Sequence, residues 1–220
     1  MVWLEHTPTI AVSNGTIDLS FQLQCKTLPV AHALELSRAI AEHLPWLEQE
    51  GGGVHEVYGG ASGNGWQRPV TADGVLHLSA RTRLILRVPR ARQDAAEQLS
   101  DTAFDINGHR VRLGHARRRE LPITPAVFAR RVAAPIDLAE DDFISACADE
   151  LQTMGIQPRK LLCGRTGECA SATGALFTRA LLVADLEPQE SIDLQSLGLG
   201  PHRMLGCGLF VGHKNIAAVS

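Results

Sequence analysis

The sequence predicts an α+β protein made of two tandem ferredoxin-like units, each a strand–helix–strand–strand–helix–strand series, with the second unit degraded. Three observations lead to this prediction. Apolar and polar residues alternate over 16–24, as in a half-buried strand. The period then changes to that of a helix over 30–47. An Asn107-Gly108 dipeptide, typical of a tight hairpin, interrupts a later apolar stretch.

The first unit is expected over residues 1–118. Its helix carries an apolar stripe, and Pro45 near the end of that helix is expected to kink or terminate it. The stripe consists of Ala33, Leu36, Ile40, Leu44 and Leu47. The elements that follow are a short strand over 54–58, a Gly-rich segment over 59–71, a strand over 83–88, a helix over 92–99 and a strand pair or a bent strand over 104–113.

The second unit is expected over residues 119–220, after a basic run at 110–119 and a group of prolines that suggest a boundary. Asp137 and Glu140 resemble a capping box and predict a helix that extends to about Met154. The two halves share no obvious sequence repeat, so the duplication is inferred from the order of elements alone. Its strands are predicted over 128–132, 160–163, 174–186 and 208–211.

The composition predicts a soluble globular protein of the cytoplasm. No apolar run approaches the roughly 18–20 residues that a membrane-spanning helix needs. The first residues lack a basic segment followed by an apolar core, so no secretory signal is predicted. The five cysteines are scattered without a C-x-x-C pair, which argues against a disulfide framework or a structural zinc site. A reducing compartment is therefore the expected setting.

Arginine is concentrated in one part of the chain. The stretch 81–131 holds twelve arginines, no lysine and five acids, a local balance of +7. Because the whole chain has a net charge of −3, the remainder carries −10. This separation predicts one face for a polyanion, and arginine binds phosphate and guanine bidentately and stacks on bases. A genome rich in G and C would raise the arginine content but would not explain the clustering.

A glycine-rich run, LGLGPHRMLGCGLFVGHK, occupies Leu197–Lys214 near the C-terminus. Glycine permits positive φ and a close approach of the backbone, so successive N–H groups can point at phosphate oxygens. The run is neither a Walker loop nor a dinucleotide-binding fingerprint, because it lacks their spacing. By itself it is equally compatible with a tight loop between two strands.

This run, preceded by Glu190–Gln195, resembles the C-terminal signature of the Cas6 family of CRISPR repeat endoribonucleases, which belongs to the RAMP superfamily. Its G-C-G-L-F segment is most similar to that of the myxococcal-type subtype. Leu28–His32 at the start of the first helix and Leu44–Leu47 near its end also resemble that branch. The resemblance implies a pair of ferredoxin-like units, in agreement with the predicted order of elements.

The resemblance also implies metal-independent cleavage of RNA at the base of a repeat hairpin, with no cofactor. The ribose 2′-OH would attack the adjacent phosphate and leave a 2′,3′-cyclic phosphate and a 5′-OH. This reaction needs a base near the 2′-OH, an acid or cation near the leaving oxygen, and donors for the phosphorane oxygens. Glu140–Asp142 is the nearest approach to a metal-binding cluster, and its position at a helix start explains it better.

The family's general base is usually a histidine on or beside the first helix, and His32 matches that position. Histidine suits the role because its pKa lies near neutrality, although a histidine at a helix start can also simply cap or pack. His43 is the second choice, about 16 Å further along the helix axis. Tyr58 is the third candidate, since other members place a tyrosine or lysine beside the histidine, but it can equally be a packing residue.

The predicted RNA contacts lie in two parts of the chain. Arg117, Arg118 and Arg119 would follow the stem of the hairpin, reading its shape and phosphates; a solvated linker is the alternative. The loop would contact phosphate or the base that flanks the cut, through Gly198, Gly200, His202, Arg203, Gly206, Gly208 and Lys214. For Trp66 two roles stay open, stacking on an unpaired base or packing into the core.

The expected partners are a CRISPR repeat stem-loop and other subunits of an interference complex, with no membrane. Two other functions stay open. The chain could be a RAMP subunit that binds guide RNA without cutting it. It could also be a small-molecule enzyme on a ferredoxin-like scaffold, since a fold does not fix a function. Salt-sensitive RNA affinity would separate the last alternative from the other two.

Overall fold

A computed structural model describes residues 15–58, 74–134 and 136–213. Its first half contains seven strands, two helices and a 3-10 turn at Arg90–Arg92. In chain order these elements are β1 (Thr16–Gln24), β2 (Thr27–Pro29), α1 (Ala33–His43), β3 (Gly53–Val54), β4 (Val75–His77), β5 (Arg83–Pro89), α2 (Gln93–Glu97), β6 (Ala103–Ile106) and β7 (His109–Arg119).

The first sheet has the strand order β3-β5-β1-β7-β6, and all its pairings are antiparallel. Without β6, this is the arrangement of a ferredoxin-like unit, as predicted. The alternation in β1 buries Ile17, Leu19 and Phe21 completely against the side that α1 and α2 cover. Asn107 and Gly108 both have positive φ and form the predicted turn between β6 and β7.

The second half repeats the same order of elements. They are β8 (Ala126–Ala134), α3 (Glu140–Thr153), β9 (Lys160–Ser171), β10 (Gly174–Ala184), α4 (Pro188–Leu197) and β11 (Val211–Gly212). The sheet order β11-β8-β10-β9 is again ferredoxin-like, and α3 and α4 contribute to the core on one face of it. Tandem ferredoxin-like units are therefore confirmed, and the second unit has every element, with a last strand of two residues.

Several predicted elements differ from the observed ones. The strand predicted over 54–58 ends at Val54, and the basic run 110–119 is part of a strand rather than a linker. Helix α3 begins after Ala139 without a side-chain cap, so the predicted capping box is wrong. Helix α4 was not predicted, because its apolar residues do not form one clear stripe: it buries Ser191 and Gln195 as well as Ile192 and Leu194. None of the described helices is long and apolar enough to cross a membrane.

One buried arginine joins the two units. Arg87 on β5 is completely buried and forms a bidentate pair with Asp18 on β1, with N–O distances of 2.9 and 3.0 Å. Its remaining amino group donates to the carbonyls of Gln195 at 2.6 Å and Phe210 at 2.7 Å, which belong to the second unit. The guanidinium thus satisfies groups from both units, and removal of its carboxylate partner would leave a buried charge without compensation.

We expect Asp18→Asn to destabilise the protein by about 3 kcal/mol at pH 7. Burial opposes ionisation of Asp18, but Arg87 and His55 outweigh burial and hold its pKa well below the ordinary value. A depressed folded-state pKa stabilises the protein above about pH 4, and this contribution is lost as the pH falls. The difference between wild type and variant in urea unfolding should therefore narrow below about pH 4.

Asp101→Asn is the matched control, because Asp101 pairs with Arg112 at 3.4 Å on the surface, where both side chains are more than half exposed. Its effect should stay within about 0.5 kcal/mol. Equal losses for the two variants would contradict the structural role of the Asp18–Arg87 pair.

Candidate functional site

The segment 55–58 follows edge strand β3 and sends consecutive side chains to different parts of the protein. His55 Nε2 lies 3.7 Å from Asp18 Oδ1 on the first sheet, and burial lowers the pKa of His55, which leaves its ring neutral at pH 7. Glu56 points toward the second sheet, where its Oε1 lies 2.9 Å from Arg131 Nη2. The side chain of Glu56 is only 2% exposed, so this ion pair is shielded from water.

Tyr58 completes a polar cluster with Glu56, Arg130 and Arg131. Its hydroxyl donates to the Glu56 carboxylate, and the Arg130 guanidinium lies 4.1 Å from the centre of its ring. Burial and the Glu56 carboxylate raise the pKa of Tyr58 well above its ordinary value. The phenol is therefore protonated at neutral pH and can act as a hydrogen-bond donor but not as a phenolate base.

Two β-bulges place the arginines of this cluster. Ala180 on β10 lies opposite Arg130 and Arg131 on β8, and opposite Gly164 and Arg165 on β9, because the register shifts in both neighbouring strands. A bulge inserts an extra residue and redirects side chains, and bulges are frequent beside active sites. The small Ala180 and Gly164 form the floor of a cleft of about 370 Å³, whose lining also includes Tyr58 and Arg165.

His32 lies at the start of α1 and is completely buried. Its Nδ1 is 2.8 Å from the Pro29 carbonyl, and its Nε2 accepts the Val57 N–H at 3.2 Å. The carbonyl can only accept, so Nδ1 carries the proton and Nε2 is the acceptor. His32 thereby fixes the backbone next to Tyr58, and its basic nitrogen is occupied in this conformation.

The glycine-rich loop is packed against the protein itself. A Cβ on Gly208 would lie 2.1 Å from the Leu199 carbonyl, and one on Gly198 would lie 2.6 Å from the Gly208 carbonyl. The N–H of Gly208 donates to the Arg131 carbonyl, and that of Gly200 to the Glu150 carboxylate. These glycines allow close approach of the protein's own backbone, so RNA binding by their N–H groups stays a prediction.

The other polar residues of the loop also have local roles. Arg203 donates to the carbonyls of Ser196 and Leu197 and so caps the C-terminal end of α4. Burial lowers the pKa of Arg203 to about 10, which still leaves it charged at pH 7. His202 adopts a left-handed conformation, and Gly206 lies close to the backbone of Glu56. The loop therefore supports the segment that carries Tyr58.

A thiol pair connects this loop to β9. The Cys207 thiol shares a hydrogen bond with Cys169, which lowers the pKa of the Cys169 thiol, and Arg131 acts in the same direction.

Among the described residues, no group of three His, Cys, Asp or Glu side chains is placed to hold a metal ion.

The remaining predicted site residues lie away from this cluster. His43 is exposed, and its ring meets the edge of Phe104 on β6, the edge strand opposite to β3. Arg117 and Arg119 are exposed opposite Ser20 and Asp18, on the face of the first sheet that α1 and α2 leave uncovered. Arg118 pairs in register with core residue Leu19, on the other face, and its guanidinium lies 3.3 Å from Glu120. Lys214 and Trp66 lie outside the described residues.

Apart from Tyr58, the residues that line the cleft were not predicted from the sequence. Arg130, Arg131 and Arg165 were not singled out, and neither was Glu56. Two consecutive arginines inside an apolar strand at 126–134 were the available signal, because strict alternation would bury one of them. The register of β9 and the position of Glu56 follow from long-range pairing and had no comparable signal.

The chain matches known proteins over most of its length. A family model described as Cas6 Crispr matches residues 17–215. The CRISPR-associated endonuclease Cas6 of Myxococcus xanthus is 29% identical over 204 residues, which cover 92% of this chain and 84% of that protein.

Solved structures share the fold at low sequence identity. A CRISPR associated protein Cas6 aligns with a TM-score of 0.62 and 10% identity, over 90% of this chain and all of that one. A Cas6-related protein from Pyrococcus furiosus aligns with a TM-score of 0.61 and 12% identity, over 93% of this chain and all of that one. A structure described as a RAMP protein binding different RNA substrates has a TM-score of 0.62 and 12% identity, over 91% of this chain and all of that one.

The packing of the loop predicts unequal effects of two glycine substitutions. Gly208 has φ +65° and no room for a Cβ, whereas Gly51 has φ +74° and nothing within 4 Å of an added Cβ. Gly51→Ala should cost about 1 kcal/mol for the backbone alone. Gly208→Ala adds overpacking and should cost about 2–4 kcal/mol in total. Urea unfolding of both variants checks this, and equal losses would mean that the loop is loosely packed.

Proposed function

This chain belongs to the Cas6 family of CRISPR-associated proteins, and on that premise we propose that it is an endoribonuclease that cuts CRISPR precursor transcripts within the repeat hairpin to give guide RNAs. The endonuclease relative in Myxococcus xanthus supports this activity. The observation that carries the proposal is the arginine-lined cleft joined to the segment that His32 anchors. The arginines of the cleft would bind phosphate, and Tyr58 in the cleft follows directly on Val57, to which His32 is hydrogen-bonded.

The proposed reaction is attack by the ribose 2′-OH on the adjacent phosphate, without a metal ion. The O2′–P bond forms and the P–O5′ bond breaks, which leaves a 2′,3′-cyclic phosphate and a 5′-OH. One proton leaves the 2′-OH for a base, and another reaches the departing 5′-oxygen. The pentacoordinate phosphorane carries extra negative charge, so fixed donors and cations around it lower the barrier.

Arg130 and Tyr58 are the proposed donors for the phosphorane. Arg130 lies on the cleft wall with its guanidinium over the ring of Tyr58. The single phenol hydrogen of Tyr58 is donated to Glu56 in this structure, so Tyr58 would donate to the phosphate only after that hydrogen turns away from Glu56. Arg131 is held by Glu56, so its charge is already partly compensated. We therefore assign Arg131 and Glu56 to orientation of Tyr58 and Arg130 rather than to direct contact with the phosphate.

His32 remains the proposed general base, with one condition that the structure imposes. Its Nε2 already accepts the Val57 N–H, so it can take the 2′-OH proton only after segment 55–58 shifts away. RNA that enters the cleft would contact Tyr58 in that same segment. We infer that substrate binding and exposure of Nε2 are coupled, and that His43, at the opposite side of the first sheet, does not take part.

The burial of His32 also favours one alternative, a RAMP subunit that binds guide RNA without cutting it. In that case the bond between His32 and Val57 never opens, and His32 only anchors the chain. The arginines and the cleft would serve binding alone. Cleavage assays decide between the two functions.

We expect the protein to cut its own repeat RNA in the presence of EDTA. A single 2′-deoxy nucleotide at the cut site should abolish cleavage without preventing binding, because it removes the nucleophile. Mass spectrometry of the 5′ fragment should show a terminal 2′,3′-cyclic phosphate. Loss of cleavage in EDTA would contradict the metal-free mechanism, and cleavage of the 2′-deoxy substrate would indicate attack by water.

We expect His32→Gln to lower the single-turnover cleavage rate by about 10²–10⁴-fold, the usual contribution of a general base. The wild-type rate should fall at acidic pH as a histidine takes up a proton, and the residual rate of the variant should lack that dependence. His43→Gln is the matched control and should cleave normally. If His32→Gln loses RNA affinity and thermal stability but its residual cleavage rate still falls at acidic pH, His32 is an anchoring residue.

A further inference from the structure

The face of the second sheet that α3 and α4 leave uncovered carries an apolar row across all four strands. The register aligns Val211 on β11 with Phe128 on β8, Leu182 on β10 and Leu162 on β9. Leu162 is 46% exposed and Val211 37% exposed, which is unusual for side chains in register on one sheet face. No described helix covers this row. The ring of His213 lies beside Phe128 with ring centroids 5.9 Å apart, and Phe128 still lines the cleft, so part of the row is accessible to a ligand.

A basic row lies directly beside the apolar row. Ala180 lies on β10 two residues before Leu182, and the two bulges on β8 and β9 are opposite it. The bulge on β8 contains Arg130, and the bulge on β9 contains Arg165. Both arginines are exposed, and neither forms an ion pair with any described residue. Thr178 continues the same face and contributes a hydroxyl to the lining of the cleft.

We propose that this face binds one unpaired nucleotide of the RNA substrate, with the base against Phe128 and Leu182 and the flanking phosphates between Arg130 and Arg165. The inference rests on the proposed function and specifies one subsite of it. A nucleotide carries a flat, weakly polar ring beside a negatively charged backbone, which matches an apolar row next to a basic one. Open sheet faces and aromatic side chains stack bases in this way.

The dimensions favour a single nucleotide over a duplex. The cleft of about 370 Å³ is the size of a small-ligand site. A double-stranded stem keeps its bases stacked on one another and exposes only their edges in the grooves, so Phe128 would meet no base face. A protein partner would be expected to cover the apolar row without requiring the unpaired charges of Arg130 and Arg165.

The test measures the binding of non-cleavable 2′-deoxy repeat RNA, scanned with one abasic nucleotide at a time. Wild type should lose affinity by about fivefold or more at one unpaired position, the lower range of base–aromatic stacking. Phe128→Leu should weaken binding of the intact RNA similarly and show no further loss at that same position. The other abasic positions should affect the two proteins equally.

Arg165→Gln provides the test of the phosphate contact, with Arg110→Gln on β7 as the matched loss of one exposed arginine. Arg165→Gln should weaken affinity for RNA that has the unpaired nucleotide. It should also lower the slope of log affinity against log salt concentration by about one, the contribution of one phosphate contact. When that nucleotide is paired by a complementary oligonucleotide, Arg165→Gln and Arg110→Gln should behave alike.

Two outcomes would overturn the proposal. One is that every abasic position affects wild type and Phe128→Leu equally; the other is that Arg165→Gln matches Arg110→Gln on the single-stranded substrate. Either result leaves the proposed function intact as long as wild type binds and cuts the repeat. Failure of wild type to bind or cut the repeat would instead count against the proposed function itself.

Discussion

The arrangement of the two units depends on the burial of one guanidinium. Arg87 has its carboxylate partner in β1 and its carbonyl partners in α4 and just before β11, so four segments meet at one side chain. A buried cation is costly unless its N–H groups are satisfied, and few arrangements of these segments satisfy them. The position of the glycine-rich loop against the first sheet follows, because the loop runs between the two carbonyls that Arg87 holds.

The loop and His32 together fix the segment that carries Tyr58. Gly206 lies close to Glu56 on one side, and the ring of His32 holds the Val57 N–H on the other. Tyr58 is then directed to the second sheet, where the bulge at Arg130 and Arg131 receives it. The cleft is thus formed by both units, and neither sheet would produce it alone.

Arginines that look alike in the sequence have different physical roles in the fold. Arg87 and Arg203 bind backbone carbonyls inside the protein, and Arg131 is paired with a shielded carboxylate. Arg130 and Arg165 keep their charges available beside the cleft. The positive balance of the stretch 81–131 therefore overstates the charge that the protein can offer to RNA, and Arg165 lies outside that stretch altogether.

The sequence by itself determined the two ferredoxin-like units, the alternation of β1 and the turn at Asn107-Gly108, because alternation, helical period and turn chemistry act over a few residues. It could not reveal that His32 is buried or that the glycines contact their own backbone. Only the tertiary structure decided which arginines meet the cleft. Arg87 bonds to residues 69, 108 and 123 positions away, and the bulges opposite Ala180 depend on pairing between strands, so no local pattern records either arrangement.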